Sequence, residues 1–187
     1  MIFAFADYVE FGPPGQVDAR VGPLARLDKA IAAVRRAPAP PAGAPRPRPG
    51  DSTHLVLAPW ARVLAVPAGT SELHHRVSRA LTARGRTAIE SLLDPRWSLP
   101  VLLGLEPDVE EHLVVDKVPE PGMSWADATP RYAPVTPELY SLLRSAETRI
   151  AEPALAARMR ELGAEPGEEA AVLVNLVTEG LLCPAAP

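Results

Sequence analysis

Proline is the residue that most restricts how this chain can fold. Prolines make up 23 of the 187 residues, which is more than twice the usual share of about 5%. Each proline removes a backbone N–H donor and clashes with the preceding helical turn, so helix interiors exclude it. The sequence therefore predicts short helices and strands separated by frequent turns. We expect an α+β fold with an irregular N-terminal half of short strands and helices, and a C-terminal three-helix module with a small sheet.

The densest run of prolines, PAPPAGAPRPRPG, occupies residues 38–50. This composition favours an extended, polyproline-like connector, and an SH3-type ligand is the less common alternative. The run separates the predicted parts of the chain. They are an N-terminal strand and helix (1–37), the linker (38–50), a mixed strand and helix region (51–109) and a C-terminal domain (110–187).

Hydrophobic periodicity predicts the elements before the C-terminal helices. Leu24, Leu27, Ile31 and Val34 recur at helical spacing, whereas HLVLA, RVLAV and HLVVDKV are rich in strand-forming residues. The predicted elements are a strand at 2–11, a helix at 24–36, two short strands within 54–66, a helix at 70–93 and a strand at 112–118, followed by a proline- and glycine-rich loop at 119–134.

The last fifty residues predict three short helices. Thr136 precedes Pro137, and a hydroxyl cap followed by proline in the first turn is a typical helix start. A second helix, ALAARMREL, ends at Gly163, and a third, GEEAAVLVNLVTE, ends at Gly180. Two glutamates stand at the positive end of the third helix.

Charge is unevenly distributed around a net value of −4. Residues 20–49 hold seven Lys/Arg and one Asp, whereas residues 106–128 hold one Lys and seven Asp/Glu. The two halves could attract each other, or the basic half could meet an acidic partner. We favour the first interpretation, since charge runs are usually solvated faces.

Three short helices closing on LVTEGLL resemble the winged-helix module. Preceded by short strands, residues 110–183 are similar to PqqD-like domains, which recognise leader peptides during ribosomal-peptide maturation. Such domains add the peptide as a strand to an exposed sheet edge. The resemblance implies that strand 113–118 forms that edge beside the third helix, at residues 168–179. The alternative is that Leu113, Val115 and Val174 are simply core residues. The implied peptide-binding residues are Leu113, Val115, Lys117, Ala171, Val174, Asn175 and Thr178.

The layout of the whole chain also resembles the partner subunits of multinuclear non-heme iron oxidases in methanobactin-type pathways. There the oxidase modifies a precursor peptide, and the partner protein binds the leader peptide without holding iron. The resemblance implies a non-catalytic protein with two partners, a precursor peptide and an iron-dependent oxidase. It implies no cofactor and no metal ligand in this chain.

A winged-helix transcription regulator is the alternative function. Base recognition needs Arg, Lys, Asn or Gln side chains and cationic neighbours for phosphates. Residues 166–182 contain three glutamates and no Lys or Arg. DNA binding through this helix is therefore disfavoured, although the basic segments 20–49 and 62–96 keep the alternative open.

The third hypothesis is a small enzyme. Its active site would have to be of an unrecognised kind, because the sequence contains no known catalytic motif. His74 and His75 are adjacent on a predicted helix, point about 100° apart and cannot chelate one ion together. His112 follows two glutamates, which indicates an acidic surface turn more than a metal site. Cys183 is the only cysteine, which excludes an intrachain disulfide and a Cys-based zinc site.

Three tryptophans are candidate contacts with a protein partner. Trp60 and Trp97 each lie beside arginine and proline, and Trp125 lies in a polar, proline-rich stretch. Tryptophan and arginine are common anchors of protein interfaces, but tryptophan is equally normal in cores.

The sequence predicts a cytoplasmic protein. The N-terminal MIFAFADYVEF has no basic region and no cleavage site of a secretory signal. No apolar run approaches the length of a membrane span, and a single cysteine fits a reducing compartment.

Overall fold

A computed structural model describes residues 21–40, 54–83, 105–119 and 122–185. The chain is α+β, as predicted, with five helices and two three-stranded sheets in these ranges. In chain order the elements are α1 (Val21–Arg35), β1 (His54–Leu57), β2 (Ala61–Ala68), α2 (Thr70–Ala83), β3 (Glu106–Asp116), β4 (Arg131–Pro134), α3 (Pro137–Ser145), β5 (Ile150–Ala151), α4 (Glu152–Glu161), α5 (Glu168–Thr178) and β6 (Leu182–Pro184). The predicted strand at 2–11 and most of the linker lie outside the described residues.

The chain forms two compact units. The first contains residues 1–29 and 65–111, and the second contains residues 30–64 and 112–187. In the first unit, Leu27 and Leu73 are fully buried, which agrees with the apolar faces predicted for α1 and α2. The helix predicted at 70–93 begins at Thr70 as expected, and its predicted end lies outside the described ranges.

The second unit contains one sheet whose middle strand comes from far away in the sequence. β1 pairs antiparallel with β5 on one side and with β6 on the other. Helices α3, α4 and α5 follow one another along the chain and pack against each other in that order, while α4 contacts β5 and α5 contacts β6. The C-terminal helices therefore pack with a sheet whose central strand, β1, ends about eighty residues before the first of these helices begins.

The other sheet has the strand order β2-β3-β4. β3 and β4 are antiparallel, with Leu113 opposite Pro134 and Val115 opposite Tyr132. β3 is therefore the middle strand, and the expectation that residues 113–118 form an exposed edge is wrong. The edge is β4, which lies in a stretch that the sequence predicts as loop.

The core of the second unit joins the helices to both sheets. Its buried side chains come from β1, the start of β2, β3, β6, the three C-terminal helices and two alanines next to them in the chain. Each amphipathic helix contributes one apolar stripe. The core residues are Leu55, Leu57, Ala58, Ala61, Val114, Leu142, Leu143, Ala146, Leu155, Met159, Leu173, Leu176, Val177 and Leu182.

The predicted ends of the C-terminal helices are confirmed. The Thr136 hydroxyl accepts a hydrogen bond from the backbone N–H of Leu139 at 3.3 Å, with Pro137 in the first turn. Gly163 and Gly180 follow the ends of α4 and α5 with positive φ angles of 101° and 74°, a conformation that favours glycine.

Candidate functional site

The edge strand β4 turns alternate backbone groups toward and away from β3. The Val135 N–H donates to the carbonyl of His112 at 2.9 Å, so residues 131, 133 and 135 face β3 and residues 132 and 134 face outward. Pro134 thus occupies an outward-facing position, where its missing N–H costs no bond to β3. This placement fits a strand that ends the sheet.

Ala133 marks where the helical cover of this sheet ends. It lies opposite Val114, and paired residues in adjacent antiparallel strands point to the same face. Val114 is buried in the core with Leu143 and Leu173, whereas Ala133 is exposed. The helices therefore cover this face of β3 and leave the same face of β4 open to solvent.

A stacked set of side chains borders the end of β4. The ring of His112 stacks on Tyr140 of α3 with centroids 4.3 Å apart. The Arg144 guanidinium lies 5.8 Å from the centre of the Tyr140 ring and donates to its hydroxyl oxygen at 2.5 Å. Hydrogen bonds from the backbone N–H of Glu138 and from Thr136 lower the pKa of the Glu138 carboxyl, and His112 lowers it further.

The exposed face of α5 carries no charge over its central turns. Ala171, Val174, Asn175 and Thr178 are all exposed, and Val174 is one of the large apolar residues left 43% exposed. On the opposite side Leu173, Leu176 and Val177 enter the core. A helix with an apolar core face and an uncharged outer face is suited to contact another polypeptide.

The seven residues predicted to bind peptide divide into two groups. The four on α5 are exposed, as a binding surface requires, whereas Leu113 and Val115 are fully buried and Lys117 is 5% exposed. Leu113 and Val115 lie on the middle strand β3 and Lys117 follows directly after it, so these three residues do not line an open edge. The strand β4 was not predicted from the sequence, because its residues, RYAP, include only one strong strand former.

Two of the three tryptophans predicted to contact a partner lie together. Trp60 and Trp125 make an edge-to-face contact with ring centroids 5.5 Å apart. The indole N–H of Trp60 donates to the carbonyl of Gly180 at 2.9 Å, and the Lys117 ammonium lies 4.9 Å from the centre of the Trp125 ring. Trp97 lies outside the described residues.

A polar cluster in the first unit closes the start of α2. The Ser71 N–H donates to Glu111 at 3.1 Å, and the Ser71 hydroxyl donates to the same carboxylate. This carboxylate satisfies a backbone donor at the positive end of the helix. His74 Nε2 lies 3.0 Å from a carboxylate oxygen of Asp28. Both contacts link segments distant in sequence, so they serve the packing of this unit.

In the part of the chain that the structure describes, no three His, Cys, Asp or Glu side chains lie close enough together to hold a metal ion. His74 and His75 are separated in environment as well as direction, since His74 is partly buried beside Asp28 and His75 is exposed. Cys183 is partly buried, and burial raises the pKa of its thiol. None of the described helices is both long and apolar enough to span a bilayer.

Neither a protein-family model nor a curated protein sequence matches this chain. The resemblance to PqqD-like domains and to the partner subunits of iron oxidases therefore stays a prediction from the sequence.

Proposed function

We propose that this chain is a non-catalytic accessory protein that binds an extended precursor peptide along β4 and presents it to a modifying enzyme. The observation that carries this proposal is the exposure of Ala133 on the face where its partner Val114 is buried. A polypeptide strand paired with the outer edge of β4 would extend the sheet, and its residue opposite Ala133 would point to the same face and pack beside it. Strand addition of this kind gives affinity through the main chain and specificity through alternate side chains.

The edge position of β4 supports strand addition over binding on a flat surface. β2 and β4 are the outer strands of this sheet, and an outer strand offers a row of backbone groups to an incoming chain. Pro134 shortens that row, because it has no N–H to donate.

The uncharged face of α5 is the proposed second contact of the peptide or of the enzyme. Burying Val174 there would remove apolar surface from water at about 25 cal/mol per Å². The absence of Lys and Arg between residues 166 and 182 gives this helix nothing with which to neutralise phosphates. A polypeptide is thus a better occupant of this face than DNA.

The modifying enzyme is proposed to be an iron-dependent oxidase, on the strength of the resemblance. Activity would then require both proteins, with this chain supplying peptide recognition and no iron ligand. A cytoplasmic setting is part of the same proposal and is supported by the use of a single cysteine.

Calorimetric titration with synthetic peptides that match the short open reading frames beside the gene tests the proposal. We expect saturable binding that Ala133→Arg weakens about tenfold or more, because a long charged side chain would occupy the open face of β4. Val174→Arg tests the contribution of α5 in the same way.

Ala154→Arg is the matched control, since Ala154 is exposed on α4 and lies outside the proposed surface. It should bind peptide as the wild type does. The proposal fails if the peptide does not bind with or without the neighbouring enzyme, or if Ala133→Arg and Ala154→Arg bind equally well. A gel-shift assay on upstream DNA at two salt concentrations would then test the regulator alternative.

A further inference from the structure

Lys117 is a charged residue in an unusually buried position. Only 5% of its surface is exposed, and it is one of just two lysines in the chain, the other being Lys29. Its backbone N–H donates to the carbonyl of Trp60 at 3.1 Å, which fixes the residue at the end of β3. Its ammonium lies over the ring of Trp125.

The ring of Trp125 supplies only part of the stabilisation that a buried ammonium loses when it leaves water. A ring face attracts the positive charge, but it replaces few of the hydrogen bonds that water makes to the three N–H donors. In the described ranges no carboxylate or carbonyl accepts from the Lys117 ammonium. Its neighbour Asp116 is bonded to Arg131 at 2.8 Å. Burying a cation without an anionic partner is costly, so the site is short of one acceptor.

The surroundings of the ammonium define which acceptor would fit. The Trp125 ring lies beside the ammonium and packs edge to face on Trp60, whose indole N–H is already used by the Gly180 carbonyl. A phosphate would need several donors to balance its charge. A carboxylate carries a single charge and can extend from an apolar group that packs against indole rings.

We propose that Lys117, Trp60 and Trp125 form a binding site for one carboxylate borne by an apolar group. The Lys117 ammonium donates to the carboxylate oxygens, and the two indole rings contact the apolar group. The site could receive a free carboxylic acid, an acidic side chain or a chain terminus, which share this chemistry. This inference does not depend on peptide binding at β4.

Titration of the ¹⁵N-labelled full-length protein with sodium propionate tests the site, followed through the three indole N–H signals. We expect saturable shifts for Trp60 and Trp125, and no saturable shift with propionamide or with sodium chloride at equal ionic strength. N-acetylglutamic acid α-amide and N-acetylglycine then distinguish a side-chain carboxylate from a chain terminus. Phenylalanine variants of each tryptophan assign the signals.

Lys117→Met should weaken propionate binding about tenfold or more, because it removes a charge-assisted hydrogen bond. Lys29→Met, which removes the other lysine, should bind as the wild type does. If Lys117 has only a structural role, propionate should cause no saturable shift of the indole N–H signals, or Lys117→Met should bind propionate as the wild type does. Either result overturns the proposal.

A measurement on the wild type decides the matter if Lys117→Met does not fold. Reductive methylation with ¹³C-formaldehyde labels both lysines and the N-terminal amine, whose methyl signals are followed individually by NMR. Propionate should slow labelling of Lys117 while leaving Lys29 unchanged. Equal rates at Lys117 with and without propionate would refute the site.

Discussion

Replacement of Gly180 should destabilise the protein through backbone conformation and not through crowding. The turn after α5 places Gly180 at a φ of 74°. The Gly180 N–H donates to the Val177 carbonyl at 3.1 Å, and the Leu181 N–H donates to the Leu176 carbonyl at 2.9 Å. This paired bonding satisfies carbonyls at the helix end and requires a left-handed residue between them.

The expected cost of Gly180→Ala follows from that geometry. A Cβ at this position would meet Trp60 Nε1 and Val118 Cγ2 at 3.6 Å each, which is ordinary van der Waals contact. Only the left-handed conformation is then unfavourable, and it costs an L-residue about 1–2 kcal/mol. For a domain of this size 1 kcal/mol corresponds to about 2–4 °C, so Tm should fall by about 2–8 °C.

Urea unfolding and thermal melting of three variants check this reasoning. Gly180→Asn should be less destabilising than Gly180→Ala, because asparagine tolerates the left-handed region better. Gly22→Ala, within α1 and with no atom within 4 Å of the new Cβ, should be neutral or stabilising by up to about 1 kcal/mol. The reasoning is refuted if Gly180→Ala is as stable as the wild type, or if alanine and asparagine behave alike.

Three further predictions concern side chains in the second unit. Thr136→Ala removes the hydroxyl that caps α3 and should cost about 1 kcal/mol in urea unfolding, whereas Thr136→Ser should restore most of it. Hydrogen bonds from the backbone N–H groups of Glu169 and Gly167 hold the pKa of the Glu169 carboxyl below its ordinary 4.5. The stabilisation is therefore present above pH 4.5 and lost as the pH falls through the lowered pKa, so Glu169→Gln should flatten the decline of Tm below pH 4.5. Burial raises the pKa of the Cys183 thiol, so Ellman's reagent at pH 8 should modify it more slowly in the native protein than in guanidinium chloride. Equal rates would contradict the burial of Cys183.

Local signals were sufficient to predict the helices and most of their ends. Thr136 before Pro137 and the glycines at 163 and 180 act within one helical turn, so their effects do not depend on the rest of the fold. The strand character of HLVVDKV likewise reflects β-branched residues within a few positions. These features agree with α3, α4, α5 and the second half of β3 as the structure shows them. β3 begins at Glu106, so Glu110 and Glu111 lie within the strand, and the acidic turn predicted before His112 is wrong.

Pairing between distant segments could not be read from the sequence. β4 is a strand because residues 131–134 lie beside residues 113–116, while its own composition favours a loop. The same dependence on pairing explains why β3 is not the exposed edge strand that the sequence predicted. β4 pairs with it and makes it a middle strand. The candidate peptide site in the structure therefore lies at β4, one strand away from the predicted edge at β3. The α5 residues predicted for this site are exposed, as expected.

The central place of β1 predicts that the C-terminal segment cannot fold alone. Residues 105–187 contain β5, β6 and all three C-terminal helices, but neither edge strand has a partner without β1. β1 also supplies Leu55 and Leu57, which are 4% and 8% exposed. Burying each of these side chains contributes about 1.5–3 kcal/mol. Together they contribute about 3–6 kcal/mol, which is comparable with the lower end of the stability of an ordinary domain, about 5–15 kcal/mol.

Circular dichroism and amide NMR of the fragment 105–187 test this dependence. We expect no cooperative melting transition from the fragment alone, and recovery of dispersed amide signals when a synthetic peptide of residues 54–64 is added. A peptide in which Leu55 and Leu57 are both replaced by Asp is the matched control and should not restore folding, because charged side chains cannot occupy the core. If the fragment melts cooperatively near the Tm of the full chain, β1 is dispensable and the sheet order does not govern folding.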